Sequence, residues 1–173
     1  MKNPSPPNPP LEGEGLKASA LDAGPPGFDS VIRIRAASVA DAGVLAVLSG
    51  QLGYPADAET IVRRLEAIGA HATDVVLVAI DARGGVCGFA NAEPRCLLIA
   101  DPFVELTALV VAENARGSGA GAALLAAIEA WARQHGFSGI RVRSNVLRER
   151  AHRFYLREGY VEKKRQAVFL KRL

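Results

Sequence analysis

Hydrophobic and polar positions follow two rhythms along this chain, and the changes between them predict its elements. Val31-Ile-Arg-Ile-Arg35 alternates at every second residue, as a half-buried strand does. Ser38 then caps a helix, with Asp41 at its third position as a short-armed capping box, and Val44, Val47 and Leu48 line one face. That helix stops near Gly50 to Gly53, Tyr54-Pro55 breaks the chain, and Asp57 opens a second helix through Ile61, Leu65 and Ile68. Val75 to Ile80 and Val86 to about Leu98 read as strands joined by a hairpin-type turn at 81–85. The run from Phe103 to Val111, rich in Val, Leu and Thr, is the next strand. A glycine-rich turn leads from it into a helix carrying Leu124, Ile128 and Trp131 at three- and four-residue spacing. A strand from Gly139 to Asn145, a helix from Glu149 to Glu158 and a last strand from Tyr160 to Lys171 complete the order. That order, β-α-α-β-β-β-α-β-α-β, describes an α/β domain with a mixed central sheet flanked by helices. No internal repeat is present.

Composition divides the chain in two. Residues 1–30 contain Pro4, Pro6, Pro7, Pro9, Pro10, Pro25 and Pro26 with few large apolar side chains. Such a stretch buries too little surface to offset its ordering entropy, so it is expected to be a disordered Pro/Gly-rich tail before a folded domain at 31–173. It has no basic start followed by an apolar core, so a secretory signal is not expected. No run of apolar residues is long enough to span a membrane. Cys87 and Cys96, without a secretory signal, read as reduced thiols of a cytoplasmic protein. With His71, His135 and His152 they show no zinc-like spacing, so no metal is expected.

The chemistry centres on Arg116-Gly-Ser-Gly-Ala-Gly121. Glycines at 117, 119 and 121 remove the Cβ atoms that would keep a ligand from the backbone, and the following helix start adds N–H groups that favour an anion. Three phosphate-loop patterns compete. A P-loop requires a Lys-Ser or Lys-Thr that does not follow. A dinucleotide loop is formally met by Gly117, Gly119 and Ala122, but it should open a repeated βαβ fold with an acidic residue about 20 positions on. The next strand carries Arg141, Arg143, Ser144 and Asn145 instead. The third pattern, Arg/Gln-x-x-Gly-x-Gly/Ala, is met by Arg116, Gly119 and Gly121; a plain β–α turn without a ligand is the bland alternative.

This third pattern resembles the acetyl-CoA pyrophosphate loop of the GCN5-related N-acetyltransferase (GNAT) family. The resemblance extends over residues 31–173. Ala151-His-Arg-Phe-Tyr155 followed by Gly159-Tyr160 is similar to the family's closing helix, A-x-x-F/L-Y-x-x-x-G-F/Y, and Lys171-Arg172 after Phe169-Leu170 fits its usual end. One departure is visible: Asn145 stands six residues before Ala151, where many members have an asparagine three before. The resemblance implies an acetyl-CoA-dependent transfer to a primary amine by direct attack on the thioester. It implies that Arg116, Gly117, Ser118, Gly119, Ala120 and Gly121 seat the pyrophosphate. Backbone groups of Leu109, Val110 and Val111, with Asn145, would meet the pantetheine and acetyl carbonyl. Glu105 falls where histone-type members carry a general base, and Tyr155 where the family carries the acid for the departing thiolate.

Each assignment has a plainer counterpart. Glu105 could be a strand-end carboxylate facing solvent near Asp101, and Tyr155 could pack against Phe154. His152, on an Arg-rich helix without a carboxylate placed by sequence, reads as surface or packing. Residues 133–173 hold twelve Lys/Arg and three Glu, net +9. Stacking aromatics are sparse there, so a solvated flank that attracts CoA is favoured over nucleic-acid binding. The acceptor would enter near Gln51, Tyr54, Phe89, Asn91 and Glu93. Small amines, aminoglycoside-like antibiotics, amino acids and protein amino groups are all open, a small molecule being the reading taken. A CoA-binding regulatory or interaction module without transfer activity is the alternative, and homodimer formation is left open.

Overall fold

The computed structural model describes residues 32–71 and 73–173. The expected tail at 1–30, and Val31 of the first strand, lie outside them. Residues up to Val142 form one compact unit and Arg143–Leu173 a second, smaller one.

In the first unit five strands stand in chain order: β1 (Arg33–Ala36), β2 (Val75–Ile80), β3 (Val86–Leu97), β4 (Ala100–Val111) and β5 (Ile140–Val142). Neighbours are antiparallel except β4 and β5, which run parallel across the helix α3 (Ala120–Gln134). The expected α/β class with a mixed sheet is what the chain forms. Both sheet faces are covered, and consecutive residues of β3 show how. Gly88 faces α3, where Leu124 packs close to it. Phe89 points the other way, into a cluster of Ala42, Leu45, Ile61, Val78 and Ile80. That second face belongs to α1 (Ala42–Leu52) and α2 (Ala58–Gly69). In α3 the residues that share a helical stripe, Leu124, Leu125, Ile128, Trp131 and Ala132, are all buried.

Local chemistry sets the helix ends. Asp57 accepts a bond from the Thr60 N–H (2.8 Å), the N-cap expected of it. Gly53, at φ 96°, closes α1 in the left-handed conformation. Ser38 and Asp41 are the pair expected at the start of α1, but they bracket a 3-10 turn, Val39–Asp41, ahead of the helix. There the Ser38 N–H (2.8 Å) and hydroxyl (3.1 Å) donate to Asp41, and Arg35 grips both Asp41 oxygens at 2.8 and 2.7 Å. Cys87 is buried and Cys96 exposed, and neither forms a disulfide.

The second unit holds α4 (Glu149–Arg157) and no strand among its described residues. The closing strand expected over Tyr160 to Lys171 is therefore corrected. Its apolar residues do not alternate: Val168, Phe169 and Leu170 are consecutive, and Lys163, Lys164 and Arg165 put three like charges in a row. No single face could be buried, and Val161, Val168, Phe169, Leu170 and Leu173 are all exposed. The strand expected from Gly139 to Asn145 is likewise cut to Ile140–Val142, because Asn145 begins a turn by accepting the Leu147 N–H (2.9 Å).

The bonds from Arg35, with those from Ser38, hold the Asp41 carboxyl below the usual carboxylate range against the opposing effect of burial. A lowered folded-state value stabilises the fold above the unfolded value of about 3.9 and is lost as pH falls through the folded one. Asp41→Asn is expected to lower Tm at pH 7 by roughly 3–6 °C, from about 1–2 kcal/mol. In thermal melts the gap to the parent should narrow as the pH approaches 3.

Candidate active site along β4

The site is built on one strand. Through Leu106, β4 is paired on both sides: Val104, Glu105 and Leu106 meet Ile140, Arg141 and Val142 of β5, while β3 runs along the other edge. Beyond Leu106 the pairing with β5 stops, and among the described strands β4 continues to Val111 with β3 alone. A register shift opposite Asn91 and Ala92 marks an extra residue in β4 at the same place. Asn91 clasps it: its Nδ2 donates to the Val75 carbonyl (3.1 Å), and its Oδ1 faces the Thr107 hydroxyl at 2.9 Å.

The shift decides which backbone groups face the open edge. The Ala112 N–H donates to the Cys87 carbonyl (2.8 Å), so Ala112 and, by alternation, Val110 turn their polar groups toward β3. Leu109 and Val111 then direct their N–H and C=O groups away from β3, along the edge that β5 leaves uncovered. Of the three backbone positions expected to meet pantetheine, these two have suitable direction.

The strand ends in a 3-10 turn, Glu113–Ala115, and the glycine loop. Gly117 and Gly119 adopt φ of 91° and 89°, a region other residues enter only under strain. Gly119 is the N-cap of α3, whose first turn contains Ala120 and Gly121; its N–H groups lie where the dipole favours an anion. The Ser118 hydroxyl accepts from Ala120 N–H at 3.4 Å, and Arg116 pairs with Glu113 at 3.3 Å. Both ion-pair partners are exposed, so the guanidinium can leave Glu113 at small cost. Two glycines in left-handed turns, a helix start and an uncovered strand edge fit a long phosphorylated thioester.

Glu105 is not a solvent-facing strand end. It is 1% exposed, whereas Asp101 is exposed. Arg141, its registered neighbour on β5, donates to its Oε2 from both Nε (2.8 Å) and Nη2. Glu93 is its cross-strand partner on β3 and is itself bound by Arg95 at 3.1 Å. A sequence shows neither pairing, because register is a property of the folded sheet. Other acceptor-side candidates are partly redirected. The Gln51 Oε1 accepts from the Glu113 N–H (3.2 Å), Asn91 holds the extra residue, Phe89 packs in the core, and Tyr54 is exposed.

In the second unit, α4 carries Tyr155 between Phe154 and Tyr160, at ring separations of 5.3 and 5.7 Å. Burial pushes its phenol up to about 12, against the pull of Arg148. The phenol therefore keeps its proton throughout the physiological range. Asn145, besides holding the Leu147 N–H, accepts the Arg148 N–H through its carbonyl (2.9 Å), with His152 Nε2 at 3.0 Å from the same oxygen. His152 is occupied in this turn.

Comparison with known proteins places this geometry in context. Residues 72–162 match the family described as "Acetyltransferase (GNAT) domain". Aminoglycoside N(6')-acetyltransferase type 1 of Stenotrophomonas maltophilia is 34% identical over 140 residues, covering 79% of this chain and 90% of that protein. Among solved structures, aminoglycoside 6'-N-acetyltransferase AAC(6')-Ih of Acinetobacter baumannii superposes with a TM-score of 0.73 at 18% identity, over 82% of this chain and 99% of its own. Aminoglycoside N-acetyltransferase AAC(6')-Iy in complex with CoA gives 0.72 at 21% identity, over 82% and 95%.

Gly88 tests the strand edge. A Cβ there would lie 2.7 Å from the Val110 carbonyl oxygen and 3.3 Å from Leu124 Cδ1, so β4 would have to shift in the part that lies beyond its pairing with β5. Gly88→Ala is expected to lower Tm and to weaken CoA binding by calorimetry about tenfold or more. Gly43→Ala, in an exposed turn of α1 with nothing within 4 Å, should change CoA affinity little and raise stability by about 0.5–1 kcal/mol.

Proposed function

Because this chain belongs to the GNAT acetyltransferase family, and so transfers an acetyl group from acetyl-CoA to an amine, we propose that its acceptor is a small-molecule primary amine of the aminosugar type. The observation that carries the site assignment is that β4 bears a buried carboxylate, an uncovered edge and the glycine loop in succession. The aminosugar class is supported by the aminoglycoside-acetylating relative, which aligns over most of both chains.

A lysine-like amine has a pKa of about 10.4 and arrives as an ammonium. It must lose a proton before it can attack. Glu105 is the carboxylate assigned to that proton, and its burial means that a water carries the proton to it. Leu109 and Val111 hold the thioester arm through main-chain bonds, and the loop from Arg116 to Gly121 seats the pyrophosphate. When bound, acetyl-CoA supplies the activated acyl group. Tyr155 is assigned to the departing thiolate. A phenol near 12 lies well above a thiol's value of about 8.5, so full proton transfer is uphill and its contribution is a hydrogen bond. The setting consistent with two free cysteines is the cytoplasm.

Thiol release from acetyl-CoA across a panel of neamine, a simple alkylamine, free amino acids and a lysine peptide tests the acceptor class. Neamine is expected to give the fastest release above an acceptor-free blank; preference for the lysine peptide would replace the small-molecule reading. Glu105→Gln should lower kcat by about 10²-fold with CoA affinity retained, and equal turnover would remove Glu105 as base. Tyr155→Phe should cost less, about tenfold in kcat, and an unchanged rate would leave Tyr155 as packing only.

A further inference from the structure

One rung crosses the sheet at the level of Glu105. Glu93 of β3, Glu105 of β4 and Arg141 of β5 are in register, and Arg95 joins the rung by pairing with Glu93. Two carboxylates stand directly opposite each other, an arrangement that destabilises a sheet unless cations answer it. Glu93 is part-exposed, and its bond to Arg95 lies near solvent. Glu105 has lost its water, and a negative charge without solvent needs a counter-ion held in good geometry.

Arg141 has that geometry. Two of its N–H groups converge on one oxygen of Glu105, and its guanidinium lies 4.1 Å from the centre of the Phe103 ring. Stacked on one side and bonded on the other, it has little freedom to turn. It is also the middle residue of a three-residue strand, so the bond ties the place where β5 ends to the place where β4 becomes open.

We propose that Arg141 is a positioning residue for acetyl transfer, acting through Glu105: it fixes the place and direction of the carboxylate at the end of the closed part of β4. The inference rests on Glu105 being the proton acceptor. Lysine at this position would keep the charge but lose the two-pronged bond and the stacking. Methionine would keep much of the length and lose the charge.

A double-mutant cycle decides it. Parent, Arg141→Met, Arg141→Lys, Glu105→Gln and the Glu105→Gln/Arg141→Met double variant are compared with the fastest acceptor of the panel at saturating acetyl-CoA. CoA affinity and Tm are measured alongside. Arg141→Met should lower kcat about tenfold or more while the CoA dissociation constant changes less than about threefold. Arg141→Lys should recover part of the loss, and the double variant should be no slower than Glu105→Gln alone. Losses that multiply in the double variant would overturn the inference and leave the base assignment standing, as would a fall in Tm with kcat unchanged. A fast Glu105→Gln enzyme would overturn both. If Arg141→Met does not fold, the same cycle with Arg141→Lys gives the answer.

Discussion

The structure depends on a limit to strand pairing. Among the described residues β4 is bonded on both edges only as far as Leu106, and from Thr107 to Val111 it is paired on one edge with β3. A strand in mid-sheet normally satisfies both rows of its polar groups, so an edge left open in the interior is a binding surface in waiting. The closed part of β4 anchors a buried charge, the open part offers main-chain groups, and the loop beyond it offers N–H groups and a helix dipole. One continuous strand thus orders three kinds of interaction along its length, with α3 packed beneath the open part through Leu124.

Strand β5 is short for a local reason. Arg143, Ser144 and Asn145 follow it, and Asn145 turns the chain at once. Its three residues would be a poor ladder alone, and the Arg141–Glu105 bond reinforces them at the centre. Exposed ion pairs such as Arg63–Glu59 or Arg153–Glu149 contribute little by comparison, since water competes for both partners.

Much of this is legible in the sequence. The stripe of α3, the cap at Asp57 and the hairpin before Val86 rest on local periodicity and turn chemistry, which a chain carries in plain view. The loop was legible because glycine spacing reports backbone conformation directly; Gly117 and Gly119 do take up left-handed angles. Strand register was not legible. Nothing in the order of residues states that Glu93 and Arg141 flank Glu105, since those neighbours come from 12 residues before it and 36 after it. For the same reason the sequence leaves open whether Glu105 faces solvent, and does not show that Asn91 is bonded to Val75 and Thr107. The closing strand expected over Tyr160 to Lys171 fails for a different reason: the segment has apolar residues, but they do not alternate.

The extra residue clasped by Asn91 also governs which changes of length the chain can bear. The β3–β4 turn, with Leu98 and Ile99 fully in solvent, is a place where residues can be gained or lost without moving Glu105 against the glycine loop. Between Glu105 and Gly119 no such latitude exists. Loss of Thr107 would shorten the path to the glycine loop by one residue and remove the hydroxyl that Asn91 holds, while a residue gained or lost beyond it would turn the main-chain groups after it from the open edge toward β3, or the reverse. Descendants of this chain can therefore vary the far end of the hairpin freely, while the distance in residues from the buried carboxylate to the glycine loop behaves as a fixed count.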